Sequence, residues 1–148
     1  MFNTKKVLSA VAAATLSVSA FSAATIAQAV TTEAAAAETV VAQGSWTKKS
    51  FKSAGTWSIV EKDGAMYVEL SDDFKTRNAP DLKIFLSPTA ASAANGKNAT
   101  DGSVLIAPLS SNKGGQSYPI PAGVDLASYS SILIHCEAYS KLWSASDL

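Results

Sequence analysis

From Gly44 to the C-terminus, apolar and polar residues alternate with a period of two, the pattern of strands that bury one face. Trp57 and Ile59 share one side of a first clear strand, with Ser58, Val60 and Lys62 on the other. Asp63-Gly64 follows as a tight hairpin turn, since glycine tolerates positive φ, and leads into a strand with Met66, Val68 and Leu70 on one side. LKIFL turns Leu82, Ile84 and Leu86 inward and Lys83 and Phe85 outward. Further strands are expected at VLIAPL, QSYPI, SSILIHC and the terminal AYSKLWSA. No helical periodicity of useful length interrupts them, and Gly, Pro, Asn and Asp punctuate the intervals. The expected fold is all-β, a single antiparallel β-sandwich or closed barrel-like sandwich. Residues 87–102 form one long connection of small polar residues, expected to be a surface hairpin.

The first 43 residues have a different pattern. Lys5 and Lys6 precede an apolar run from Val7 to near Ile26, and Ala27-Gln28-Ala29 offers small residues for cleavage. Residues 1–29 are therefore expected to be a bacterial-type signal peptide removed after Ala29, with the product secreted or periplasmic. The run is rich in Ala, Ser and Thr and no second apolar stretch of membrane length follows, so no stable membrane span is expected after cleavage. Residues 30–43, VTTEAAAAETVVAQ, read as a flexible Ala/Thr-rich linker, and residues 44–148 as the folded domain. Removing Lys5 and Lys6 from the 12 basic residues leaves 10 against 12 acidic ones. That balance provides no broad basic field for nucleic acid and no basic amphipathic stretch for a membrane surface.

The candidate chemistry sits in SILIHCEAYS, which holds the only histidine, His135, and the only cysteine, Cys136. Neighbours on a strand face opposite ways, so Cys136 goes with Ile132 and Ile134, and His135 with Leu133, Glu137 and Tyr139. Burial of the thiol and partial exposure of the imidazole follow as expectations. Met66 is the third potential ligand, read foremost as core filler beside Val68 and Leu70. One His and one Cys cannot build a blue-copper centre, a c-type haem attachment, an iron–sulfur cluster or a structural zinc site within one chain. Non-covalent haem or a metal held by Cys136, His135 or Met66 stays open, although no motif supports either. A disulfide-linked homodimer through Cys136 also stays open. There is no Gly-x-Ser-x-Gly elbow, and Asp72-Asp73 reads as solvated turn chemistry, so a catalytic site is not expected. Trp46, Trp57 and Tyr118 are expected to pack between the sheets.

Short motifs spread across the domain carry a resemblance. Gly44-Ser45-Trp46, Gly55-Thr56, Pro80-Asp81-Leu82, Leu86-Ser87, Gly115-Gln116, Tyr118, Pro121 and Val124-Asp125 are followed by Tyr129, Ile132, Ile134-His135-Cys136, Tyr139 and Ala145 to Leu148. In this order and spacing they resemble the electron-transfer DM-thirteen domain family over residues 44–148. The resemblance implies a small extracellular β-domain, often beside DOMON domains in animals, with a redox role proposed for one cysteine, here Cys136. Two positions depart from the family pattern: His135 stands where tryptophan usually precedes the cysteine, and Ala79 where glycine usually precedes Pro-Asp-Leu. The expectation is an exported single-domain protein with a redox or electron-transfer role and a redox or cell-envelope protein as partner. The alternative is a non-enzymatic binding module in which the cysteine is structural.

Overall fold

The computed structural model describes residues 37–148. Lys5, Lys6, the apolar run to Ile26 and the boundary at Ala29 lie outside them. Nine strands form among the described residues: β1 (Thr39–Ser45), β2 (Thr47–Lys48), β3 (Thr56–Lys62), β4 (Ala65–Leu70), β5 (Leu82–Ser87), β6 (Val104–Pro108), β7 (Gln116–Pro119), β8 (Ser131–Cys136) and β9 (Lys141–Asp147). They make two antiparallel sheets, one ordered β1-β3-β4-β7 and the other β2-β9-β8-β5-β6. The fold is the expected sandwich. Its helical content among the described residues is two 3₁₀ turns, Leu126–Ser128 and Glu137–Tyr139.

The alternation explains the core. Trp57, Ile59, Val68 and Leu70 from the first sheet meet Leu82, Ile84, Leu86, Ile132, Ile134 and Cys136 from the second in one apolar cluster. Trp46, Trp57 and Tyr118 belong to it, as expected, and Met66 packs against its margin. Asp63 and Gly64 both take positive φ, 51° and 75°, and close the β3–β4 hairpin as the sequence predicts.

Three expectations are corrected. The segment expected to be a linker, residues 30–43, yields to strand from Thr39, which pairs with Glu61 and continues to Ser45 opposite Thr56. Its inward positions are Ala42 and Gly44, too small to register as a hydrophobic stripe. They are small for a reason, because a Cβ on Gly44 would stand 2.8 Å from Cζ2 of Trp57. A register shift between Val40 and Ala42 further breaks the alternation.

The second correction concerns the outer face of the five-stranded sheet. Phe85, expected outward, is buried in a second apolar cluster with Leu133, Leu142 and Ala145, covered by Ala91, Ala94 and Ala99 of the 87–103 connection. That connection is a lid packed on the sheet, held by Ala91 N–H donating to Asp147 Oδ1 (2.7 Å) and Ser131 Oγ donating to the Thr89 carbonyl (2.7 Å). All six residues of β8 are buried as a result, so SILIHC is covered on both faces.

The third follows from the second. His135, expected to be partly exposed, is only 4% exposed. Its contact with the lid makes Gly96 a sensitive position: a Cβ there would collide with the Ser140 carbonyl oxygen and stand 3.3 Å from Lys141 Cα, both backbone. Gly96→Ala is therefore expected to cost about 1–3 kcal/mol by overpacking. Urea unfolding measures it, and a change below about 0.5 kcal/mol would show that the lid shifts freely.

Candidate functional site

β8 runs between β5 and β9, with Cys136 opposite Leu82 on one side and Lys141 on the other. The β5 pairing is regular throughout, so alternation along β8 is preserved. Cys136 faces the inter-sheet core and is 0% exposed as a free thiol. His135 faces the lid. Its Nε2 lies 3.2 Å from the Gly96 carbonyl oxygen, which makes Nε2 the protonated nitrogen, and Nδ1 has no partner among the described residues. The Phe85 ring stands edge-on to the imidazole, centroids 6.3 Å apart at 86°. The adjacent pair therefore does not converge, and Met66 lies on β4 in the other sheet. Cys136, His135 and Met66 are not brought together as a ligand set. No group of three or more His, Cys, Asp or Glu able to hold a metal ion occurs among the described residues. A disulfide across two copies needs Cys136 at a surface, and the fold encloses it.

The chain turns sharply after Cys136. Glu137–Tyr139 forms a 3₁₀ turn, Ser140 takes φ 48°, and β9 returns alongside. Glu137 N–H donates to the Asp81 carbonyl (3.1 Å), and the Lys83 ammonium bridges the carboxylates of Glu137 and Asp81. The Glu137 hydrogen bond, then Asp81, holds Lys83 above its ordinary pKa of 10.5 against the opposing effect of desolvation. Pro80-Asp81-Leu82 is thereby tied to the residue that follows Cys136. Ala79 needs no positive φ, since Asp63 and Ser140 are the only non-glycine residues with one among the described residues.

The other motif positions build the opposite sheet and its loops. Tyr118 OH donates to Gln116 Oε1 (2.5 Å) and accepts from Ser110 N–H (2.8 Å), while Gln116 Nε2 donates to the Gly114 carbonyl (3.0 Å). At Gly115 a Cβ would collide with the Asp72 carboxylate. Pro121 opens a turn closed by Val124 N–H to its carbonyl (3.3 Å). Gly115, Gln116, Tyr118 and Pro121 act through the fold.

A feature unforeseen in the sequence lies beside the cysteine end of β8. A cleft of about 710 Å³ opens between Phe51, Arg77 to Pro80, Tyr139, Lys141 and Trp143. Trp143 is the extra residue where β9 slips register against β8, between Leu142 opposite His135 and Ser144 opposite Ile134. Its ring packs on Phe51, centroids 4.1 Å apart, and its Nε1 donates to the Arg77 carbonyl (3.0 Å). The Arg77 guanidinium lies over the Phe51 ring, 4.8 Å from its centroid. Trp143 also belongs to the core cluster that contains Cys136. Two clues to this cleft were present, the aromatic Tyr139 and Trp143 flanking Lys141, but nothing in a strand pattern brings Phe51 and Arg77 to them.

Fold and site thus define a small β-sandwich that encloses a single free cysteine at the end of a central strand, beneath an aromatic cleft. The family model described as Electron transfer DM13 matches residues 45–147, and the chain belongs to that family. Searches of curated proteins and of solved structures each found no match to the chain.

Proposed function

We propose that the protein is an exported electron-transfer module in which charge is exchanged at the cleft and Cys136 is the redox-active residue behind it. One observation carries this reading: Trp143 is both a wall of the cleft and a member of the apolar cluster around Cys136. Lys141, the register partner of Cys136, lines the same cleft, about 5 Å away along the backbone ladder. An enclosed sulfur does not exchange disulfides or capture a metal ion without an opening of the fold. In this reading an oxidised partner protein takes one electron from the Cys136 thiol across the packed side chains and the S–H proton passes to solvent; the reduced partner returns an electron, and a proton from solvent restores the thiol. The partner in this reading is a redox protein of the cell envelope or exterior.

The test uses protein recovered from its own host. Its mass is expected to correspond to a chain beginning at Val30, and voltammetry is expected to show a couple that Cys136→Ala removes while circular dichroism stays unchanged. A mass retaining residues 1–29 would sink the export reading, and a couple that survives the substitution would sink the role of the cysteine. The complete enclosure of Cys136 favours a second reading, a binding module in which this residue is packing alone. That reading expects no couple in either protein.

A further inference from the structure

We infer that the cleft is a binding site for a planar organic anion, an aromatic ring system carrying a sulfonate or carboxylate. The chemistry of its lining leads there. Phe51, Tyr139 and Trp143 supply ring faces and edges, and Tyr139 is 57% exposed, an unusual state for an aromatic side chain with no partner to cover it. Arg77 and Lys141 supply positive charge, and neither has a carboxylate partner among the described residues. The ion pairs among the described residues join Lys62 to Glu38 and Glu69, and Lys83 to Asp81 and Glu137. Asp81, next to Pro80 of the lining, and Glu137, two residues before Tyr139, are thus already engaged by Lys83. Arg77 is shared with a neighbouring depression lined by Lys52 and Lys75, which extends the positive field beyond the cleft mouth. A volume of about 710 Å³ falls within the range of small-molecule sites. Asn78 adds an amide able to donate or accept at the rim. A flat anion stacked on the exposed Tyr139 ring, with Trp143 as a buried wall of the cleft, places its charge between the two cationic heads.

This inference goes beyond the electron-transfer reading and rests on it only if the anion is itself redox-active. The test titrates the mature protein with anthraquinone-2-sulfonate and follows the Trp143 indole N–H resonance, assigned as the one lost in Trp143→Phe. The resonance is expected to shift and to saturate. Arg77→Gln and Lys141→Gln are expected to raise Kd about threefold each and about tenfold together, the effect of exposed charge pairs, and added salt to raise it further. Arg77→Gln keeps the backbone carbonyl that accepts from Trp143, and Lys141→Gln, on an exposed side chain, provides a second route should the first perturb the Phe51 stack. Lys97→Gln, outside the cleft, is expected to leave Kd unchanged. No saturable shift, an equal response to uncharged 2-(hydroxymethyl)anthraquinone, or a Kd indifferent to both cation substitutions would overturn the inference. Naphthalene-2-sulfonate separates the two proposals: saturable binding without any voltammetric couple upholds the site while electron transfer fails. A couple that persists without binding rejects the site alone.

Discussion

Native Cys136 is expected to react with a disulfide reagent at least about a thousandfold more slowly than the same residue in denaturant. Cys136 is 0% exposed and belongs to the inter-sheet cluster with Leu82, Ile134 and Trp143. Its strand is the centre of the five-stranded sheet, flanked by β5 and β9, with the lid over its other face. Access therefore requires the two sheets to separate or β9 to detach, and either movement gives up much of the core. Domains of this kind unfold with free energies of roughly 5–15 kcal/mol, so the reactive population is about one molecule in a thousand or fewer. Absorbance of the released thiolate, recorded with and without guanidinium, measures the ratio. A native rate within tenfold of the denatured one would mean that the thiol is reachable, and would restore sulfenate, mixed-disulfide and intermolecular disulfide chemistry as live options. A protected thiol restricts any redox part of Cys136 to charge passing through packed atoms.

What could be read from the chain divides along one physical line. Patterns local to a strand were legible: the Asp63-Gly64 turn, the inward row Leu82, Ile84, Leu86, and the separation of His135 from Cys136 onto opposite faces. Each follows from the two-residue period alone. Features that depend on what lies over a face were not. Phe85 and His135 looked outward-facing because the covering chain, residues 87–103, is mostly small or polar, rich in Ala, Ser, Thr, Asn and Gly, and gives no apolar signal although Ala91, Ala94 and Ala99 are buried on them. β1 was hidden for the related reason that its inward residues are fitted to the bulk of Trp57. Of the cleft only Tyr139 and Trp143 flanking Lys141 left a trace, since its rings and charges come from positions 51, 77, 139, 141 and 143, and the register slip at Trp143 removes that residue from any regular alternation.

The register slip gives Trp143 two duties, and truncating it should reveal both. Trp143→Ala is expected to lower the unfolding free energy by about 3–5 kcal/mol, the range for deleting a large buried aromatic. The residue is 2% exposed, fills the end of the inter-sheet core, stacks on Phe51, and anchors the 77–80 segment through its hydrogen bond to the Arg77 carbonyl. Alanine leaves the cavity, the orphaned ring of Phe51 and the unpaired carbonyl together. Trp143→Phe keeps most of the packing and loses only the donor, so about 1–1.5 kcal/mol is expected. Urea denaturation of the two variants resolves the difference. If alanine cost less than about 1 kcal/mol, the site would have collapsed without penalty, and Trp143 would be a surface ring that happens to be covered. If phenylalanine cost as much as alanine, the indole N–H would be the chief tie between β9 and the cleft rim. The expected ordering places stability in the ring and position in the N–H. It follows that a ligand in the cleft meets, at Trp143, a wall held rigid by the core itself, the same core that encloses Cys136.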